Sequence, residues 1–386
     1  MTFLVGSIFA GEAARDMYAG FPVDLFLLLA GVTYLFAIAS ANGTVERTIE
    51  AAARLVDGRR ALIPWIVFVV AALPAMAGAL GSAGVALLAP LALRLARRYE
   101  IDRRMIGLMV VHGAAAGNFS PLNVLSGVVT QAIARGGLEM SPLTLFWANL
   151  AYNLGLAIVI VIVFGGRPRQ ATAASGPGPI EGGGPAVSNL RADQICTLLA
   201  LVAVAVAALG FGLNIGFVAL TAAAALHLAF PSSSAGADTQ IAWSVVLLVC
   251  GVVTYVAALQ RHGTVDVVGT RIAATSTPLV TALLLCAVGA VTSAFASSAG
   301  ILGALIPLAV PVLAQGAIGT TGVVVALAIS ATVVDSTPFS TVGALVVANA
   351  EEAERAHVYR GLLAWGAVMV VTAPFVTWIL FVLPAR

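Results

Sequence analysis

One acidic residue and several hydroxyl residues interrupt an apolar stretch near the C-terminal end, VVDSTPFSTVGALVVANA at residues 333 to 350. An ionised carboxylate such as Asp335 is costly in apolar surroundings unless a cation, a proton or a hydrogen-bond donor compensates it. Pro338 would break a helix here and free backbone carbonyls, which suit a hard cation together with hydroxyl oxygens. The stretch therefore predicts a Na⁺ or proton site, and a satisfied structural hydrogen bond is the alternative.

A second segment has the same pattern, because GNFSPLNVLSGVV (117–129) aligns with VDSTPFSTVGALV (334–346). The alignment pairs Asn118 with Asp335, Ser120 with Thr337, Pro121 with Pro338 and Asn123 with Ser340. Two more pairs match in the same order, LLLAGVTYLFAIASANGTV (27–45) with LLVCGVVTYVAALQRHGTV (247–265) and GSAGVALLAPLA (81–92) with SSAGILGALIPLA (297–309). Three ordered matches indicate that the chain contains two copies of one unit.

The composition predicts an all-α polytopic membrane protein in contact with the lipid bilayer. The 386 residues are 60% hydrophobic and 9% charged, with a mean hydropathy of +1.04, whereas soluble domains are about a quarter charged. Several apolar runs approach the roughly 20 residues that cross a bilayer as a helix. A net charge of +2 gives no reason to expect a nucleic-acid partner. The cysteines lack CxxC spacing, so we expect no thiol metal site and no cofactor beyond a coupling ion.

Two inverted-topology repeats are predicted, each with a re-entrant hairpin at its SAG tripeptide and a broken transmembrane helix at its Pro-containing segment. We place the first repeat at 1–164, a flexible cytoplasmic linker at 165–193 and the second repeat at 194–386. Most arginines fall on one predicted side, which should be cytoplasmic, and an odd number of crossings separates equivalent points of the repeats. Because the second repeat has two additional spans, near 194–212 and 214–230, the opening helix of the first is expected to be missing, through a late start codon or a reduced scaffold.

The four predicted breaks, two hairpin tips and two helix interruptions, would supply the site. Free carbonyls there suit a cation, and the N-termini of restarting helices suit an anion. The predicted substrate-binding residues are Ser82, Gly84, Asn118, Ser120, Asn123, Ser298, Gly300, Thr337, Ser340 and Thr341. The predicted Na⁺ or proton ligands are Asn118, Ser82, Ser298, Asp335 and Ser336, and Pro121 and Pro338 are the predicted helix breaks. For any single Ser or Thr, a hydrogen bond back to its own helix is the alternative.

Three further features of the sequence allow only less specific predictions. His112, shortly before Asn118, would either relay protons or pack against a neighbouring group. The stretches VERTIEAAARLVDG (45–58) and EEAERAHVYRG (351–361) predict solvated or interfacial amphipathic helices.

These residues resemble the MatC-type malonate/dicarboxylate carriers, within the ion transporter superfamily that includes the divalent anion:sodium symporters. The resemblance is closest over the first repeat, in FPVDLFLLLAGVTYLFAIASANGTV, ALIPWIVFVVAALPAMAGALGSAGVALLAPLALRLARRY and LMVVHGAAAGNFSPLNVLSG, and the second repeat is similar in VVDSTPFSTVGALVVAN. It implies a dimerising scaffold domain and a transport domain that moves across the membrane like an elevator. The symporter relatives carry a Ser-Asn-Thr motif at each hairpin tip, which falls here on Ser82-Ala83-Gly84 and Ser298-Ala299-Gly300, so this chain keeps only the Ser.

The sequence thus predicts a transporter rather than an enzyme. We expect a homodimeric secondary carrier in a bacterial inner membrane that moves a small carboxylate such as malonate by symport with Na⁺ or H⁺. The alternatives are a Na⁺/H⁺ exchanger of the same superfamily without an organic substrate, and a membrane protein without transport activity. An intramembrane hydrolase is disfavoured, because Asp335 has no second deep carboxylate to face it. Substrate identity, coupling ion and direction of transport stay open.

Overall fold

The computed structural model describes residues 20–45, 60–165, 191–264, 277–295, 298–314 and 316–385, together with the single positions 15, 18, 47 and 267. Every regular element in those ranges is a helix, which confirms the predicted all-α fold class. Most of the linker and of the stretch 45–58 lies outside the described residues.

The first repeat contributes six helices of more than ten residues to the described ranges. They are α1 (Val23–Ala41), α2 (Ile63–Met76), α3 (Gly81–Arg98), α4 (Arg103–Gly117), α5 (Val124–Arg135) and α6 (Pro142–Phe164). The second repeat contributes α7 (Ala192–Phe211), α8 (Ile215–Ala229), α9 (Trp243–Arg261), α10 (Pro278–Ser293), α11 (Ser298–Leu313), α12 (Thr320–Val333), α13 (Thr341–Ala348) and α14 (Glu352–Thr377). Helices α9 to α14 correspond in order to α1 to α6, and α7 and α8 are the two additional helices of the second repeat.

Length and apolar composition make four segments of the described chain long enough to cross a membrane. These are Val23–Ala41, Pro142–Phe164, Thr320–Ala348, which contains the second break, and Glu352–Ala385. With the other apolar helices they support a multi-pass membrane protein.

Packing between the two copies is reciprocal. In each repeat the two arms of the hairpin pack on the first half of the broken helix, α2 and α3 on α4, and α10 and α11 on α12. Across the repeats, α3 packs on α13 while α11 packs on α5, and α6 contacts α12 while α14 contacts α4. Each contact between the copies thus has an equivalent in which the two repeats change places. This pattern indicates a pseudo-two-fold axis relating the copies, as expected for an inverted-repeat transporter fold.

Both hairpins are present, and their arms are short. At about 1.5 Å per residue, the 14 residues of α2 extend about 21 Å, less than the roughly 30 Å of a bilayer core. The serines of the SAG tripeptides lie in the first turn of the second arm, α3 or α11, rather than in the connecting turn. The second arm of the first hairpin extends beyond its apolar run because Arg97 and Arg98 form its last turn.

Two glycines let the first broken helix approach the hairpin closely. A Cβ atom at Gly117 of α4 would lie 2.6 Å from the backbone oxygen of Ala72 in α2, and one at Gly113 would clash with the backbone of Phe68. Without these side chains the two backbones make direct contact, as small residues allow between membrane helices. This contact fixes the end of α4 against the end of α2, where the first break begins.

The stretch 351–361, predicted as a solvated or interfacial amphipathic helix, is helical, and most of its side chains are exposed or half-buried. These residues form the beginning of α14, which continues without interruption to Thr377. Glu354 pairs with Arg103 at 2.9 Å, and Glu351 pairs with Arg97. The polar end of α14 is thus anchored to the adjoining ends of α3 and α4.

Candidate functional site

The second break lies where the sequence predicts it. Helix α12 ends at Val333, a single 3₁₀ turn covers Val334–Ser336, and α13 starts at Thr341. Pro338, in the connection between them, has no N–H to continue a helix. The 3₁₀ turn contacts both α4 and α14, so the second break lies beside the first broken helix.

Asp335 meets the tip of the second hairpin directly. The Ser298 hydroxyl lies 2.8 Å from each carboxylate oxygen of Asp335, and the Ser293 hydroxyl donates to Ser298 Oγ at 2.9 Å. A serine hydroxyl has one proton, so it satisfies one carboxylate oxygen at a time and leaves lone pairs on the other. Ser298 is 6% exposed and Asp335 is only partly buried, so this carboxylate can accept a cation or a proton.

Matching hydrogen bonds tie each break to its own hairpin. Ser120 donates to the backbone oxygen of Met76 at 2.7 Å, and Thr337, its counterpart in the second repeat, donates to the backbone oxygen of Ala294 at 2.8 Å. Both acceptors lie where the first hairpin arm ends. Each broken helix is therefore fastened to the end of its hairpin arm by the same kind of bond.

The restarting half-helices are capped by predicted site residues. Asn123 accepts from the backbone N–H of Leu125 at 2.9 Å at the start of α5, and Ser340 accepts from that of Gly343 at 3.0 Å at the start of α13. The Asn123 amide also donates to the backbone oxygens of Ala75 and Ala79. The polar hydrogens of these side chains are used by the protein itself, and their role as substrate ligands stays a prediction.

The first break has no carboxylate and contains an unpartnered oxygen. Asn118, which follows the last residue of α4, is 4% exposed. Within the part of the chain that the structure describes, its side-chain oxygen is buried without a hydrogen-bond partner. Gly81, at the tip of the first hairpin, adjoins it, since a Cβ there would lie 3.3 Å from Asn118 Oδ1. An unsatisfied buried acceptor costs about 1–3 kcal/mol, so this oxygen is a candidate cation ligand.

The remaining predicted residues have varied surroundings. Ser82 is half-buried in the first turn of α3, and Thr341 is exposed at the start of α13. Gly84 adjoins Pro74, and Gly300 adjoins Leu248 of α9. Ser336 is buried and donates to the backbone oxygen of Val333 at 2.8 Å, which is the alternative considered for hydroxyl residues in apolar helices.

Sequence reasoning missed two groups of residues around the breaks. Phe339, next to Pro338, stacks on Phe295 of the second hairpin with ring centroids 5.5 Å apart, and both rings are more than half exposed. Asn149 of α6 donates to the backbone oxygens of Ala115 and Ala116 beside the first break. The available signal for the second group was the pair Asn149 and Asn153, one helical turn apart in an otherwise apolar helix.

Comparison with known proteins agrees with this architecture. Residues 1–118 match the family model described as Dicarboxylate carrier protein MatC N-terminus, which confirms the expected resemblance over the segment that ends at Asn118. The crystal structure of the YdaH transporter from Alcanivorax borkumensis, described as revealing an unusual topology, is similar with a TM-score of 0.65 and 13% identity, over 95% of this chain and 86% of that one. At this identity the likeness shows the fold alone, which is a transporter fold. No curated protein sequence matches the chain.

Proposed function

We propose that this protein is a secondary transporter that carries a small carboxylate such as malonate across a bacterial inner membrane by symport with Na⁺ or H⁺. The observation that carries the proposal is the direct contact between Ser298 at a hairpin tip and Asp335 in a helix break. A partly exposed carboxylate at such a junction is a group that binds an ion and releases it. The carrier-family match of the first 118 residues supports an organic anion as the cargo.

Neutral oxygens and one carboxylate would hold the ion. Asp335 offers carboxylate lone pairs, and Asn118 offers an amide oxygen to which no described residue donates. Both lie in interrupted segments where backbone carbonyls are also released. Na⁺ is a hard cation, and oxygens of this kind are ligands that such cations take. A proton on Asp335 would neutralise the same carboxylate.

Helix ends would hold the substrate. Four helices start around the site: α3 and α11 at the hairpin tips, and α5 and α13 at the helix breaks. The first-turn N–H groups of a helix attract anions. Ser82, Gly84, Gly300 and Thr341 lie in the first turns of three of them. Binding by neutral donors and helix dipoles would be weak enough to permit release.

Electrostatics would couple the two cargoes. An ionised Asp335 repels a substrate carboxylate, by about 3 kcal/mol for charges roughly 5 Å apart at an effective dielectric constant near 20. A cation or proton at Asp335 removes that repulsion, so substrate binds well only after the ion. This order makes the ion gradient drive substrate movement.

Alternating access would follow from movement of the hairpins together with the broken helices. The bonds from Ser120 to Met76 and from Thr337 to Ala294 fasten each hairpin to its break, so each pair moves as one body. Helices α1 and α8, which pack extensively on each other, would belong to the static scaffold. We propose that this scaffold dimerises and that transport is of the elevator type, as the family resemblance implies.

Uptake of radiolabelled malonate into proteoliposomes tests the proposal. We expect uptake to require an inward sodium gradient or an inward proton gradient and to stop when that gradient is collapsed. Sodium-dependent proton flux without malonate uptake would instead support a Na⁺/H⁺ exchanger without an organic substrate. A carboxylate such as Asp335 can bind Na⁺ and H⁺ alternately, which is the observation that favours this second candidate. If neither flux appears with malonate or with other small dicarboxylates, the transport proposal is wrong.

A further inference from the structure

A buried chain of polar side chains links three helices behind the first break. Trp365 of α14 donates from Nε1 to His112 Nε2 at 2.9 Å, and His112 Nδ1 lies 3.1 Å from Asn153 Oδ1. Asn153 donates to Asn149 Oδ1 at 3.0 Å, and Asn149 donates to the end of α4. His112, Asn149 and Asn153 are fully buried and Trp365 is 7% exposed.

The chain has a fixed direction. An indole nitrogen can only donate, so His112 Nε2 must accept, and the imidazole is neutral with its proton on Nδ1. That proton is donated to Asn153 Oδ1, and the Asn153 amide donates to Asn149 Oδ1. The Asn149 amide donates in its turn to the backbone oxygen of Ala115. Hydrogen bonds that all run one way polarise one another, so each one strengthens the next. Both ring nitrogens of His112 are thereby occupied, which leaves no free nitrogen for the proton relay considered from the sequence.

The chain ends on two carbonyls in the last turn of α4. The Ala115 oxygen also accepts from the N–H of Asn118 at 3.1 Å, whereas the Ala116 oxygen lacks its helical donor. The N–H of Ser120 bonds to Gly117 rather than to Ala116, four residues back. Asn149 supplies the missing donor, at 3.1 Å from the Ala116 oxygen and 2.8 Å from the Ala115 oxygen. The last turn of α4, which presents Asn118, is therefore held from outside its own helix.

We propose that Trp365, His112, Asn153 and Asn149 are positioning residues that set the orientation of Asn118 and thereby the ion affinity of the first break. The proposal rests on the proposed transport function. The indole of Trp365, on α14 of the second repeat, thus changes the ion affinity of the first repeat without contacting ion or substrate. These four residues act through the Ala115 and Ala116 carbonyls.

The test is a sodium titration of malonate uptake, because the amide oxygen of Asn118 can bind a cation but is not protonated near neutral pH. Proton-driven uptake without any sodium dependence would therefore overturn the inference. We expect the half-saturating ion concentration to rise about fivefold in Asn149→Leu and about threefold in Trp365→Phe, because each loses a buried donor. His112→Gln can still accept from Trp365 and donate to Asn153, so it should stay near the wild-type value. Half-saturation by malonate, measured at saturating ion, should change less than twofold in all three.

The matched control is Thr197→Val, which removes a buried hydrogen bond to Asn42 between α7 and the end of α1. This variant should leave the ion titration unchanged. The inference is overturned if the Trp365→Phe protein is monodisperse, transports, and has wild-type ion half-saturation, or if Thr197→Val shifts that value equally. Trp365→Phe keeps an aromatic ring in the core, so it decides the matter even where Asn149→Leu does not fold. If wild-type protein shows no ion-driven uptake, it is the transport proposal that fails.

Discussion

The two helix breaks share a backbone arrangement and differ in charge. Each is fastened to its hairpin by one hydroxyl, from Ser120 or Thr337, and each restarts at a capped half-helix. The second break contains a carboxylate that receives a hydrogen bond from the hairpin tip, whereas the first contains an amide whose oxygen receives none among the described residues. The shared hydroxyls and caps therefore fix the backbone shape, and the residue at Asn118 or Asp335 fixes the chemistry.

The surroundings of the breaks differ in the same sense. The second has the hydroxyls of Ser293 and Ser298 around its carboxylate, while the first has the small residue Gly81 beside Asn118. Phe339 and Phe295 stack over the second break, and Leu122 stands at the position equivalent to Phe339 in the first. A duplicated unit thus places a carboxylate in one break and a neutral amide oxygen in the other, the two kinds of oxygen proposed above to hold the ion.

Replacing Asp335 with Asn makes the second break as neutral as the first, and it should have the largest effect. We expect ion-driven uptake to fall roughly a hundredfold, the equivalent of about 3 kcal/mol of lost electrostatic interaction. The measurement is initial-rate uptake in proteoliposomes, with Asp24→Asn, an exposed carboxylate at the start of α1, as control. If a folded Asp335→Asn protein kept the uptake rate and ion dependence of the wild type, the charge of Asp335 would have no part in the mechanism.

Removing the serine at each hairpin tip compares the support that the tips give. Ser298→Ala removes the donor to Asp335 and should lower uptake roughly thirtyfold, since a hydrogen bond to a charged group contributes about 2 kcal/mol. Ser82→Ala should change uptake by less, because the Ser82 side chain has no hydrogen bond within the described residues. Equal losses in the two variants, measured in the same uptake assay, would show that the tips act alike.

Replacing Asn118 with Ala tests whether its free oxygen is a ligand. Because no described residue bonds to that oxygen, the substitution removes an unsatisfied buried acceptor, and thermal stability in detergent should stay the same or rise. The half-saturating ion concentration should rise roughly tenfold, the equivalent of about 1.4 kcal/mol. The opposite result, a lower unfolding temperature with an unchanged ion titration, would assign Asn118 to structure alone.

The smallest expected difference concerns how the two broken helices begin. Asp102 caps α4 by accepting from the backbone N–H of Arg104 at 2.8 Å, whereas α12 follows Gly319 without a side-chain cap. Burial raises the pKa of Asp102, but hydrogen bonds and charge from Arg104 outweigh it and hold the pKa below its ordinary range. The carboxylate therefore stabilises the fold above its ordinary pKa, and that contribution is lost as the pH falls through the lowered value.

Asp102→Ala should accordingly cost about 1 kcal/mol of stability at pH 7 and progressively less in acid. Thermal unfolding of wild-type and variant protein in detergent at several pH values measures this difference. A deficit that stays constant down to strongly acidic pH would mean that packing, rather than the charged cap, accounts for it.

Local signals account for what the sequence predicted well. Clusters of proline, glycine and small polar residues favour the ends of helices, so the two breaks and the two hairpins could be located from GNFSPLN, VDSTPFST and the SAG tripeptides. A proline alone is a weaker signal, since Pro74 and Pro374 lie inside helices. The charged pattern of the stretch 351–361 likewise predicted a helix, but it did not show that this helix continues without interruption to Thr377.

Contacts between distant parts of the chain could not be predicted in this way. Trp365 and His112 are separated by 253 residues, and Thr337 bonds to a backbone oxygen 43 residues away. A sequence identifies which groups can donate and accept, but not which of them meet.

The sequence by itself determined that this chain contains two copies of a helical unit, each interrupted at a proline-containing segment with polar side chains. Only the tertiary structure decided that Asp335 has a serine partner at a hairpin tip and that the Asn118 oxygen, beside Gly81, has no partner among the described residues. The physical reason is that a helix break depends on the backbone of a few consecutive residues. A side chain's partner depends instead on how whole helices pack. At the first break, Gly113 and Gly117 set the distance between α4 and α2.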